Sequence, residues 1–168
     1  MNTAYQTMRD FWLDVKNLEH KKEVPQLGAQ KICVAGVEMA AKDDKGQVKH
    51  FIIAASSLGN ASVYFENNSP SGIGGFTGGA ESGPVHEKVT ALMQAASLAA
   101  EKLPVVQTLA VQNNPQRVTL FTVSGEGQIR AQDIAEQEVR SPAHALYGFF
   151  AYTQQLLGAF RSVQEKNK

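Results

Sequence analysis

Apolar side chains at Tyr5, Met8, Phe11, Trp12, Val15 and Leu18 recur every three or four residues, with Arg9, Asp10, Asp14 and Lys16 between them. That period predicts an amphipathic helix over 3–22, closed by Pro25 and Gly28. The pattern then changes. Ile32, Val34, Val37 and Met39 lie in a run over 31–42 without helix caps, and Asp43-Asp44-Lys45-Gly46 supplies a turn before the apolar stretch 48–53. Two strands joined as a hairpin are predicted there. A third is predicted at Ala61–Glu66, where β-branched and aromatic residues stand between turn signals at 58–60 and 67–70.

Residues 67–83 hold six glycines, Gly72, Gly74, Gly75, Gly78, Gly79 and Gly83, with too few apolar side chains to pack as an element. A mobile loop is the simplest account of them. Gly83-Pro84 then opens a second helix whose stripe is Val85, Val89, Leu92, Met93, Ala96, Ala99 and Leu103, closed by Pro104. Its many alanines let it lie close against a sheet or another helix. Strands at 105–112, 117–124 and 128–134, separated by 113–116 and 125–127, predict a meander. Ser141-Pro142 has the form of a helix start, with Leu146, Phe149, Phe150, Thr153, Leu157 and Phe160 on one face, widened by Tyr147, Tyr152 and Leu156. The expected fold is one α+β domain over 1–168. A central antiparallel sheet of five or six strands carries three helices, in the order α-β-β-β-α-β-β-β-α.

Charge changes this picture by exclusion. Sixteen Lys and Arg balance sixteen Asp and Glu without a block of either sign, so the basic footprint of a nucleic-acid-binding protein is missing. Lys16, His20, Lys21 and Lys22 are interrupted by Glu19 and Glu23 and read as a solvated helix end. Cys33 is the only cysteine, which rules out an internal disulfide, and its apolar strand-like setting predicts an inert buried thiol. No basic start precedes an apolar core and no eighteen-residue apolar run occurs, so a cytoplasmic protein without membrane contact is expected.

Candidate chemistry is sparse. His20, His50, His86 and His144 stand apart at no metal-ligand spacing, no Gly-x-Ser-x-Gly elbow is present, and no catalytic residue, metal or cofactor is predicted. The glycine-rich segment could offer backbone N–H groups to a ligand, with Gly74, Gly75, Gly78, Gly79 and Glu81 as contacts and His86 on the first turn of the next helix. No Lys or Arg lies between His50 and Glu87, however, and no Gly-Lys-Ser/Thr ending follows, so a nucleotide cradle is not expected. The last helix carries a wider apolar arc than one sheet face covers. Self-association through Tyr152, Leu156 and Phe160 of this helix, or through the small-residue face of the second helix, is therefore expected.

The order of elements, most closely the small-residue helix at 87–102 and the three strands after it, resembles the profilin-like folds. Among them it resembles the roadblock/light-chain dynein-associated family, over about residues 3–163. The resemblance implies a non-enzymatic homodimer that extends its sheet or packs its helices across a twofold axis. It implies further that the dimer is a platform for another protein, in that family often a small GTPase. The competing expectation is a small-ligand sensor or enzyme with a deep polar pocket closed by the loop 67–83.

Overall fold

The computed structural model describes residues 1–18, 23–79 and 83–166. Its strands are β1 (Ile32–Lys42), β2 (Val48–Ser56), β3 (Ala61–Glu66), β4 (Ile73–Gly78), β5 (Val105–Val106), β6 (Arg117–Ser124) and β7 (Ile129–Ala135). Its α-helices are α1 (Thr3–Leu13), α2 (Pro84–Ala99), α3 (Glu136–Val139) and α4 (Tyr147–Lys166). The strands form a single antiparallel sheet ordered β4-β3-β2-β1-β6-β7-β5, which places β1 at its centre. The class is α+β as expected, with seven strands and four α-helices among the described residues in place of five or six and three.

Alternation along the strands sorts side chains to two faces. Ala35, Val37, Ile53, Val63, Val118 and Leu120 form one core with α2 and α4. Val34, Ile52, Ala54, Phe121 and Val123 form another with Tyr5 and Trp12 of α1 and with Val15 and Leu18 of the 3-10 turn that follows it. No described helix is long and apolar enough to cross a membrane.

The first helix is shorter than its periodicity predicts. Asn2 caps it by accepting the Tyr5 N–H at 2.9 Å, but Asp14 has already left the helical backbone, and Val15–Leu18 continues as a 3-10 turn. The rest of the predicted helix, including His20, lies outside the described residues. Its buried stripe also differs: Tyr5, Arg9 and Trp12 face the sheet, and Phe11 is 44% exposed.

The strand predicted over 105–112 shrinks to Val105–Val106, and β5 pairs with β7, so the last three strands are not a meander. Backbone groups beyond Val106 go to side chains: the Leu109 carbonyl accepts from Arg9, and the Gln112 N–H donates to Glu38. A backbone group bonded to a side chain is withdrawn from a ladder at that position. The helix start predicted at Ser141-Pro142 is a run of turns, and α4 begins at Tyr147. The broad apolar arc of α4 is consumed within the chain, because α4 packs against α2 and β1 together. Leu156 and Phe160 are buried, the Phe160 ring stacks on Phe76 at 6.2 Å, and Tyr152 is half-buried.

The segment expected to be a loop contains β4, paired residue for residue with β3 from Glu66↔Ile73 to Ala61↔Gly78. Glycine is required there by proximity: a Cβ on Gly75 would stand 2.4 Å from the Val63 carbonyl oxygen. In a loose loop, Gly75→Ala would be neutral or stabilising, by about 0.4–1 kcal/mol through the unfolded chain. In the paired strand it is expected to destabilise by about 1–3 kcal/mol, through the forced shift of backbone. Urea unfolding of the variant gives the sign.

Candidate functional site

Glu38 lies near the middle of β1, paired with Ile52 on one side and Thr119 on the other, so its side chain emerges from the centre of the sheet under α1. It has no solvent exposure. A carboxylate there must be fully partnered. Arg9 Nε donates to its Oε2 at 2.5 Å, the Tyr5 hydroxyl donates to the same oxygen at 2.9 Å, and the Gln112 N–H donates to Oε1 at 2.8 Å. Arg9 also donates to the Leu109 carbonyl at 2.7 Å. One carboxylate thus binds α1, β1 and the chain crossing between β5 and β6. Burial, reinforced by the Glu38 charge, pushes the Tyr5 hydroxyl far above its ordinary value and keeps it a donor.

A second buried pair lies on the same face. Glu66 accepts the Asn2 N–H at 2.5 Å, the His50 N–H at 2.8 Å and His50 Nδ1 at 2.6 Å, and His50 Nε2 lies 2.8 Å from Asn113 Oδ1. Asn2 donates onward to the Gly72 carbonyl at 2.7 Å. Burial alone would raise the Glu66 carboxyl, but the Asn2 and His50 amides and the His50 ring outweigh it and hold it below the usual glutamate value. The start of α1 is thereby tied to both ends of the β3–β4 turn.

Beside these pairs, toward the sheet edge, a cleft of about 640 Å³ opens between α1 and the β3–β4 hairpin. Met8, Phe11 and Trp12 form its helix wall and Ala61, Ser62 and Tyr64 its floor, with Thr77, Gly78 and Gly79 on the outer side. The lining holds no charged residue. The Trp12 indole N–H is buried and has no acceptor among the described residues.

The residues singled out from sequence are distributed as follows. Gly74, Gly75 and Gly78 are strand residues of β4, and Gly78 and Gly79 reach the cleft. Glu81 lies outside the described residues. His86 fastens the chain leaving β4, its Nδ1 donating to the Gly79 carbonyl at 2.8 Å, so Gly79 and His86 meet, away from Gly74 and Gly75. Of the proposed dimer residues, Leu156 and Phe160 belong to the core and offer no surface. His144 accepts the Leu146 N–H at 3.0 Å in the turn before α4. Among the described residues, no three His, Cys, Asp or Glu side chains gather as metal ligands. Sequence reading missed Arg9, Glu38, His50 and Glu66. A lone carboxylate in the apolar run of β1, and an arginine in register with Tyr5 and Trp12, were the available signals.

Two outcomes follow from this geometry. Arg9→Met leaves the Glu38 charge buried without its counter-ion and is expected to cost about 3–5 kcal/mol in urea unfolding, as for other broken buried pairs. The Glu66 carboxyl is held low in the folded state, so the stability it confers is complete above the ordinary glutamate value of 4.5 and is lost as pH falls from there through its folded value. Unfolding free energies from pH 7 to pH 3 should therefore decline less steeply in Glu66→Gln, a variant less stable at neutral pH.

No protein-family model, no curated protein and no solved structure matches this chain.

Proposed function

We propose that the protein is a non-enzymatic, homodimeric interaction module that presents its sheet as a platform for another protein. The observation that carries this reading is the outer edge of β4. Among the described residues it is a six-residue strand paired on one side only, and residues 67–80 of the sequence contain no charged side chain. Natural edge strands are commonly blunted by charge, proline or brevity, and an unguarded one is a template for another strand. The opposite edge is β5, only two residues long. A net charge of zero offers no long-range repulsion between copies. Arg9, Glu38, His50 and Glu66, buried under α1, are engaged in holding elements together, which supports a structural role for them.

The alternative of a small-ligand sensor draws support from the uncharged cleft beside Gly78 and Gly79 and from the unpartnered Trp12 N–H. Sedimentation equilibrium separates the two. A mass of two chains at micromolar concentration is the expected result. A single-chain mass overturns the dimeric module and leaves the cleft as the feature to be explained.

A further inference from the structure

We infer that the α1 cleft is a composite site, closed by Ile73 of a second copy of this chain whose β4 pairs antiparallel with β4 in one register, Gly75 opposite the partner's Gly75. This inference rests on the dimeric reading above and specifies the surface and the register.

The register follows from the hydrogen-bond alternation of the hairpin. The Asn67 N–H donates to the Gly72 carbonyl at 3.1 Å, which makes that pair a hydrogen-bonded one. In an antiparallel ladder such pairs recur at every second residue. The bonded pairs of β3 and β4 are therefore Phe65/Gly74, Val63/Phe76 and Ala61/Gly78. Ile73, Gly75 and Thr77 are left with N–H and C=O directed away from β3. The Ser71 hydroxyl, which bonds the Ile73 carbonyl at 3.0 Å, accords with that direction.

Two copies of this edge match best in one way. With Gly75 opposite the partner's Gly75, Ile73 faces the partner's Thr77 and Thr77 faces the partner's Ile73. All three outward residues of each copy are then used, for about six interstrand hydrogen bonds. A shift by one residue would oppose outward groups to inward ones, and a shift by two would leave one outward residue of each copy unpaired. No like charges meet, because the edge has none.

The α1 face has room for this pairing. The α1 helix lies mainly over β3 and β2. With strands about 4.8 Å apart, the two copies of β3 would be about 14 Å apart, whereas a helix with its side chains is about 10–12 Å across. The gap that remains is the cleft. Thr77 lines its outer side, so the partner's Ile73, directly opposite Thr77 and on the same face, would close it against Phe11 and Met8. On the other face, the partner's Phe76 would stand opposite Gly74, beside which the Phe65 ring already lies, so that ring would meet ring.

The test is cysteine crosslinking in a Cys33→Ser background. Chains carrying Ile73→Cys are mixed with chains carrying Thr77→Cys and treated with an oxidant or a short bis-maleimide. Opposed residues of a bonded antiparallel pair have Cα atoms about 5.5 Å apart, within disulfide reach. The mixture is expected to give at least ten times more covalent dimer than either variant alone, since in this register like positions are four residues apart. Thr77→Lys, at an exposed position, should raise the dimer dissociation constant at least tenfold while the separated chain keeps the wild-type circular dichroism spectrum. If the wild type sediments as two chains but the mixture does not crosslink and Thr77→Lys still dimerises, the register and the composite cleft are overturned while the dimeric reading stands. A single-chain mass overturns both.

Discussion

The fold depends on a carboxylate placed where water cannot reach it. Glu38 stands on the central strand and is solvated only by Arg9, Tyr5 and the Gln112 amide, so each donor must be held in place for the sheet to close around it. Every one of those donors comes from outside the strand ladder. The helix α1 is short, and of its three buried positions two are the large rings of Tyr5 and Trp12 and the third is an arginine. Its attachment is therefore directional as well as hydrophobic. An ion pair so deeply buried is weak evidence for net stability, since desolvation of both charges opposes their attraction. What it supplies is position: it fixes α1 and the irregular chain at 107–116 to one register on the sheet.

The two faces are accordingly built on different physics. Under α2 and α4 the sheet is covered by aliphatic and aromatic side chains, and the small residues of α2 let the helices approach closely. Under α1 a polar seam runs from Asn2 through Glu66 and His50 to Asn113, with the Glu38 group alongside it. This seam holds the first turn of α1 against the β3–β4 turn. The later part of α1 has no such polar tie to β4, and that is where the cleft opens.

What was legible in the sequence is what periodicity controls. The helix Pro84–Ala99 starts where Gly83-Pro84 places it, and β1, β2, β3, β6 and β7 lie where β-branched runs alternate between turn signals. Three of the departures have separable reasons. The first helix was drawn too long because Val15 and Leu18 keep the helical spacing in a 3-10 turn. The strand expected at 105–112 ends at Val106, and the Leu109 carbonyl and Gln112 N–H beyond it are taken by Arg9 and Glu38 from remote parts of the chain, which no local pattern records. The strand β4 was missed because glycine weakens β propensity, whereas here its missing Cβ is what lets β4 fit against the Val63 carbonyl. The candidate site suffered most. Arg9 was read as an outward polar residue of an amphipathic helix, and its role appears only once Glu38 is seen to lie beneath it.

The glycine-rich edge carries an argument of its own. A strand with so little side chain has weak intrinsic preference for extended structure, and its order comes from the ladder to β3 and from ties at both ends, Asn2 on the Gly72 carbonyl and His86 on the Gly79 carbonyl. An edge held straight at both ends, bare of charge and thin enough for close approach exposes mostly backbone. Backbone is the one surface that any second strand can match, and the strand most nearly matched to it is another copy of itself, because the alternation that leaves Ile73, Gly75 and Thr77 unpaired in one copy leaves the same three unpaired in the other. The specificity of such a contact cannot come from the hydrogen bonds, which are common to all strands. It has to come from what flanks them, the helix wall of Met8 and Phe11 on one face and the ring of Phe76 on the other.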